Sequence, residues 1–350
     1  MPFRAARFYA GKRVMVTGGL GFIGSNLAAC LVELGADVLL VDSLEPETGA
    51  NPSNIDPIRD RVATRGVDVR DALAMERLVA DRDVIFNLAG QVSHLDSMRD
   101  PFTDLEINCR AQLSLLEACR HHNPSVKVIF AGTRQIYGKP DYLPVDERHL
   151  LHPTDVNGIN KMAGEWYHVL YNNVYGVRAC SLRLTNTYGP RMLVKNNRQT
   201  AIGWFIRQVI DGEEVQLFGD GSQLRDFTYV DDACEAFLLA GASEAANGEV
   251  FNLGGPEPIS LRDLVALLIE VVGRGSYRLV PFPEEKKAID IGSVYADFTK
   301  IQRVLGWQPR TALREGLERT VAFYLEHRDQ YWSDQTAEHR TLNAEVGARP

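Results

Sequence analysis

Short apolar runs alternate with longer amphipathic ones through the first half of the chain. Arg13–Thr17, Asp37–Asp42, Val84–Leu88, Val126–Ala131 and Arg178–Leu184 read as strands bounded by turn residues. Between them Gly24–Leu34, Asp71–Ala80, Pro101–His121 and Val156–Val174 carry helical periodicity or capping residues. Strand following helix in this way predicts an α/β fold, a Rossmann-type doubly wound parallel sheet. Past Gly189-Pro190 the texture changes to shorter elements, Asn and Gly turns, and the Pro-containing stretches Gly254–Pro258 and Pro281–Pro283. That change predicts a smaller α/β lobe built from C-terminal segments. The expected division is a dinucleotide-binding domain over 11–185 plus about 225–256, a second lobe over 186–224 and 257–331, and a polar tail over 332–350. No internal repeat is visible.

The first strand runs straight into Thr17-Gly18-Gly19-Leu20-Gly21-Phe22-Ile23-Gly24. Three glycines at three-residue spacing between strand and helix make a dinucleotide cradle. Gly18 permits the tight turn, Gly21 lets the backbone approach a pyrophosphate, and Gly24 lets helix and strand pack closely while the helix N-terminus faces the anion. The second strand ends in Asp42, about twenty residues on, where a carboxylate can bind an adenosine ribose. No Arg follows within two residues, so NAD is expected rather than NADP.

Charge and cysteine content narrow the class of partner. The 350 residues carry a net charge of −8 with pI near 5.6, which argues against bulk binding to nucleic acid. The five cysteines are scattered and suggest reduced thiols, neither a disulfide framework nor a zinc site. No metal is expected. With no leader-like start and no run of membrane-spanning length, the expected location is the cytoplasm, away from membranes.

From Lys12 to about Tyr331 the chain resembles the extended short-chain dehydrogenase/reductase family, the NAD-dependent nucleotide-sugar epimerases and dehydratases. The resemblance rests on motifs in order: Thr17–Gly24, Asp68-Val69-Arg70-Asp71, Asn87-Leu88-Ala89-Gly90-Gln91, Ile136-Tyr137-Gly138, Arg183 to Arg191, Gly219 to Phe227, and Leu305-Gly306-Trp307-Gln308-Pro309. It implies NAD held by Gly18, Gly21, Phe22, Ile23, Gly24, Asp42, Asp68, Val69, Leu88, Ala89, Gly90 and Lys161. It also implies a hydride shuttle in which a sugar hydroxyl is deprotonated, its carbon is oxidised to a ketone, and reduction from the other face gives the epimer. Thr133 matches the hydroxyl residue of the family, and Lys161 its lysine.

The family's catalytic tyrosine position holds Asn157, and an amide has no accessible ionisation with which to take a proton. Three explanations stay open. Another group accepts the proton (Asp155, His152, Tyr137 or a water relayed through Lys161), or the hydride step survives with a shifted pose, or the chain binds its ligands with little turnover. Arg134 and Gln135 stand where the family's dehydratases carry an acid pair, which favours epimerisation over dehydration or decarboxylation. Arg134 is a candidate contact to a uronic acid carboxylate. By resemblance Asn186 and Arg225 meet the diphosphate, Ser93 and Gln135 belong to the substrate site, and Lys287 and Asp290 match a family segment that reaches the nucleotide. The implied substrate is a UDP-hexose or UDP-uronic acid epimerised at C4. A homodimer paired through Pro101–His121 and Val156–Val174 is implied as well, while Trp166, Tyr167 and Tyr171 are expected to pack along the helix that carries them.

Overall fold

The computed structural model describes residues 7–45, 49–196 and 200–332. The expected polar tail after Trp332 lies outside the described residues. Seven strands form one sheet: β1 (Arg13–Thr17), β2 (Asp37–Asp42), β3 (Val62–Gly66), β4 (Val84–Asn87), β5 (Lys127–Thr133), β6 (Arg178–Leu184) and β7 (Val250–Asn252). Their order is β7-β6-β5-β4-β1-β2-β3, and every pair is parallel. The central strands bury both faces, as crossover helices require: Val14, Met15, Val16, Val84, Ile85 and Phe86 are all inaccessible to solvent. The expected α/β doubly wound sheet is therefore present.

Two of its strands escape the hydrophobic pattern. β3 is an edge strand, Val62-Ala63-Thr64-Arg65-Gly66, with side chains mostly exposed or half-buried. β7 is only three residues long and sits at the other edge. Neither buries enough apolar surface to need a recognisable run.

On the faces lie α1 (Phe22–Glu33), α2 (Ala72–Val79), α3 (His94–Arg99), α4 (Pro101–Leu105), α5 (Ala111–His122) and α6 (Val156–Tyr175). The run expected as one helix over Pro101–His121 is helical throughout, but it widens into a π turn at Glu106–Arg110 between α4 and α5. Asp71 caps α2 by accepting from the Ala74 amide, Asp155 caps α6 by accepting from the Gly158 amide at 2.7 Å, and Gly176, at φ 74°, ends α6 in the left-handed conformation. A buried ion pair fastens α6 to the sheet. Glu165 on α6 meets Arg183 on β6 at 2.6 Å and accepts from Ser181 Oγ at 2.8 Å, while Arg183 also donates to the Tyr137 hydroxyl.

After β6 the chain forms short ladders. Asn186–Tyr188 runs parallel to Phe227–Tyr229, Glu214–Phe218 parallel to Ser276–Val280, and Leu224–Arg225 antiparallel to Ile259–Ser260. Among the described residues no helix is long and apolar enough to cross a membrane. All five cysteines are free thiols. Of the aromatics on α6, Tyr171 packs into the core as expected, whereas Trp166 is 53% exposed. It lies on an outward face with Ile159, Leu170 and Val174, and nothing among the described residues covers it.

The tightest approach in the fold is at the glycine turn. A Cβ on Gly24 would stand 2.2 Å from the Gly18 carbonyl oxygen, an atom of backbone that cannot swing aside. Gly24→Ala must push α1 off β1, and the expected loss is about 1–3 kcal/mol, as for other overpacked cores. Urea unfolding measures it; a variant within about 0.5 kcal/mol of the parent, the range of a neutral substitution, would show that the contact is slack.

Candidate functional site

The strand order reverses between β1 and β4, and a cavity opens at the carboxyl ends of the strands there, where open parallel sheets bind ligands. One end is the glycine turn. Gly18, at φ 67°, accepts from the Gly21 amide at 3.1 Å, and the first amides of α1 face the cavity. Gly18, Gly21, Phe22, Ile23, Gly24, Asp42, Asp68, Val69, Leu88, Ala89 and Gly90 all line it. Thr17 Oγ joins the β1 and β4 loops by accepting from the Leu88 and Ala89 amides and donating to Asn87.

Asp42 is held at the end of β2 by the amides of Leu20 and Leu44, at 3.0 and 2.9 Å. Burial raises its carboxyl above the ordinary range, and those two amides work against the rise. Asp68 sits lower than an ordinary carboxylate because Arg70 grips it. Arg70, part of the Asp68–Asp71 motif, lines the cavity too, as does Glu45, which has no sequence signal beyond its place in a loop after a strand.

At the middle of the cavity stand Thr133, Asn157 and Lys161. Thr133 ends β5, and its Oγ accepts from the Gln135 amide. Lys161, one turn along α6 from Asn157, donates to the Ala131 carbonyl at 3.1 Å and lies 4.9 Å from the centre of the Phe130 ring. Burial pushes its ammonium down to about 8, with Asp104 opposing the shift. The Asn157 side chain turns toward α4. Its amide nitrogen donates to the Gln91 carbonyl at 2.8 Å, to Gln91 Oε1 at 3.2 Å and to Asp104 Oδ2 at 3.0 Å.

The far end carries two guanidinium groups, Arg134 and Arg225. Arg134 donates to Asn186 Oδ1 at 3.1 Å and to Gln135 Oε1, and its Nε is buried without a partner. Arg225 donates to the carbonyls of Leu224 and Gly292. Burial brings Arg225 down to about 10, with repulsion from Arg134 adding to the fall. Burial also raises the Asp226 carboxyl beside them to about 6. Asn186 ties the group together by donating to the Asp226 carbonyl at 2.9 Å. Two partly buried cations that repel one another across a cavity wall suit a doubly charged anion.

Four predicted residues stand off this cavity. Ser93 is a buried N-cap whose Oγ accepts from the Asp96 amide. Gln135 is buried behind Arg134 and donates to Asp155 at 2.8 Å. Asp290 lines an adjoining cavity with Arg225, Trp204, Phe218, Phe282 and Lys286. Lys287 is exposed and lines neither; it is Lys286, one residue earlier in a single-turn helix, that lies over the Phe218 ring at 4.6 Å. Of the proton acceptors left open, Tyr137 is buried between Asn252 and Arg183, with its phenol pushed up to about 12 chiefly by burial. His152 is on the surface and does not line the cavity.

Comparison with known proteins agrees with this geometry. Residues 14–254 match the model of the NAD dependent epimerase/dehydratase family. A putative UDP-glucose 4-epimerase of Methanocaldococcus jannaschii is 34% identical over 88% of this chain and 97% of its own. The structure of UDP-glucose 4-epimerase from Thermotoga maritima with UDP-glucose superposes with a TM-score of 0.81, at 32% identity over 90% of this chain and 99% of that one. A dTDP-glucose 4,6-dehydratase from Streptomyces venezuelae, with NAD bound, gives 0.83 at 28% identity over 92% and 99%. With the glycine turn, the acid closing β2 and the lysine on α6 gathered at one cavity, and with two thirds of its length matched, the chain belongs to the NAD-dependent epimerase/dehydratase family.

Proposed function

We propose that this chain is an NAD-dependent nucleotide-sugar epimerase that inverts C4 of a UDP-hexose or UDP-uronic acid through a transient 4-keto sugar. One observation carries the reading: a single cavity joins a dinucleotide cradle to a pair of guanidiniums, with Thr133 and Lys161 between them. The segment 11–185 with about 225–256 holds NAD, and 186–224 with 257–331 holds the sugar nucleotide. The bound nicotinamide supplies a reversible two-electron acceptor for the sugar carbon. Asp42 accepts from the adenosine ribose, and Asp68, Val69, Leu88, Ala89 and Gly90 flank the dinucleotide. Lys161 holds the nicotinamide ribose and keeps positive charge near the reacting hydroxyl, while Thr133 donates to the oxygen on which negative charge develops. Asn186 and Arg225 grip the diphosphate, with Asp290 beyond them toward the nucleoside. Among the described residues Arg134 hydrogen-bonds amide oxygens and no carboxylate, which leaves it able to meet a uronate or a phosphate. Ser93 and Gln135 act from behind the cavity wall.

Dehydration is the second reading, favoured by the relatives that are dTDP-glucose 4,6-dehydratases. Arg134 and Gln135 speak against it, since neither side chain can serve as the acid and base that remove water. Proton NMR of the anomeric signals, with NAD and UDP-glucose, UDP-galactose, their uronic acids and the dTDP, GDP and CDP counterparts, decides the matter. The expected product is the C4 epimer with no loss of water or carbon dioxide. A deoxy-keto or pentose product would replace the reading with dehydratase or decarboxylase, and binding without turnover would replace it with a cofactor-loaded binding protein.

The chain works as a homodimer in the cytoplasm, a setting that suits its free thiols. Support for the dimer is the outward face of α6, where Ile159, Trp166, Leu170 and Val174 recur at helical spacing and are each about half exposed. Trp166→Glu buries a charge in that interface. Light scattering is expected to show the parent as a dimer and the variant as a monomer; two unchanged dimers would move the interface elsewhere.

A further inference from the structure

One titratable group on the cavity has no part in the roles above. His94 opens α3, just after the loop that follows β4, and lines the cavity with Gln91, Thr133, Arg134, Asn157 and Lys161. Its Nδ1 is shut away from solvent and stands 3.0 Å from Asp155 Oδ2, although its N–H axis is not aligned on that oxygen. The side chain as a whole is 37% exposed, so its accessible part lies away from Nδ1. Asp155 is buried and fixed at both oxygens: Oδ1 accepts from the Gly158 amide as the cap of α6, and Oδ2 accepts from Gln135 Nε2 at 2.8 Å. Burial works to raise this carboxyl, but His94, the Gly158 amide and Gln135 together hold it below the ordinary range, so it remains an anion. An anion at Nδ1 draws the imidazole proton to that nitrogen and leaves Nε2 as a free acceptor. The two helices are also tied directly, since the Asn157 amide donates to Ser97 Oγ at 3.2 Å.

Asn157 meanwhile spends both amide hydrogens on Gln91 and Asp104, and cannot take a proton in any case. We propose that His94, oriented by Asp155, is the proton acceptor for the sugar hydroxyl. The proposal rests on the epimerase reading. In the forward step the hydroxyl O–H bond breaks and its proton goes to His94 Nε2. The hydrogen on the same carbon leaves with its electron pair to NAD, and the C–O bond becomes C=O. In the return step the hydrogen comes back with its electron pair to the opposite face of the carbon, the C=O bond becomes C–O, and His94 gives the proton back to the oxygen. Asp155 stabilises the imidazolium formed between the two steps and is a positioning residue. The imidazole meets Asp155 at 3.0 Å and shares the cavity wall with Lys161 and Arg134, while its own helix carries Asp96 and Arg99 and packs against the helix of Asp104. Lys161 is the rival acceptor, being buried on the same wall.

The test uses the full chain with NAD and UDP-glucose, following the anomeric signals by proton NMR across pH. For His94→Gln the expected result is a fall in turnover of about 100- to 10,000-fold, the usual worth of a positioned base. The single-proton acid limb of the parent's profile should vanish, while calorimetric affinities for NAD and UDP stay within about threefold, a difference under 1 kcal/mol. Nitrogen-15 NMR of the imidazole gives a readout independent of turnover: the parent should show the Nδ1–H tautomer, and Asp155→Asn should lose that preference. A parent that turns over while His94→Gln keeps its rate and its acid limb would overturn the assignment alone, and an Nε2–H tautomer in the parent would do the same. A parent inactive across the whole sugar-nucleotide panel would overturn the epimerase reading, and the assignment with it. Should His94→Gln lose its fold, His94→Ala serves instead: recovery of turnover with added imidazole supports the assignment, and an undiminished rate without it refutes it.

Discussion

A carboxylate that is buried and, among the described residues, bonded to no cation governs how this site is put together. Asp104, on α4, is wholly inaccessible to solvent and accepts from three amide side chains: Asn108 at 3.1 Å, Asn157 at 3.0 Å and Asn160 at 2.8 Å. An ionised carboxylate in such a place is tolerated only when its lone pairs are occupied. The requirement fixes much of the surrounding structure. Asn108 lies in the π turn, where the extra residue per turn brings its side chain under both Asp104 and the Gln91 carbonyl. Asn157 and Asn160 come from the first turn of α6, so a single carboxylate sets the spacing between α4 and α6. Gly164 completes the approach, because a Cβ there would stand 2.8 Å from the Asn108 carbonyl.

The same network explains why an amide suits position 157. One side-chain nitrogen with two hydrogens reaches both Gln91 and Asp104, whereas a phenol has a single hydrogen to give. The asparagine is thereby committed to architecture and its nitrogen is withdrawn from the chemistry of the cavity. Lys161 feels the arrangement at a distance. Burial lowers its ammonium and Asp104 restores part of the loss, leaving a lysine that holds or releases a proton near neutral pH. Farther along, Arg134 and Arg225 hydrogen-bond no carboxylate among the described residues, so a chain of net charge −8 still presents a positive cavity to an anion.

How much of this could be read in the sequence follows from what each feature depends on. The central strands and the glycine turn were legible because burial on both faces and close backbone approach leave strong local marks. β3 and β7 were not, because short edge strands need neither. The π turn at Glu106–Arg110 leaves the helical periodicity almost intact and answers to Asp104, a tertiary constraint. Thr133, Lys161, Asn186 and Arg225 do converge on one cavity, as the motifs implied. Lys287 and Lys286 differ only by their phase around one helical turn, which spacing along a loop cannot resolve. Aromatics on an amphipathic helix usually pack, yet Trp166 lies on a face of α6 that the described residues leave uncovered. His94 carried no signal at all, since a histidine at the start of a short helix becomes informative only when a buried anion distant in sequence is brought against it.

That anion serves two purposes, and their combination is physically economical. Asp155 begins α6, where a carboxylate is favoured both by the free amide of the first turn and by the positive end of the helix dipole. Those interactions stabilise its charge independently of His94, so the carboxylate need not capture the imidazole proton to remain buried. An anion held beside Nδ1 strengthens the imidazole as a proton acceptor, which the oxidising half of an epimerisation demands, and the same proton goes back to the oxygen in the return half of the cycle. A serine at this position would cap the helix equally well but would bring no charge to the imidazole. The choice of aspartate at 155, the amide at 157 and the histidine at 94 thus form one consistent set, in which the first turn of α6 holds the acceptor in place instead of supplying it.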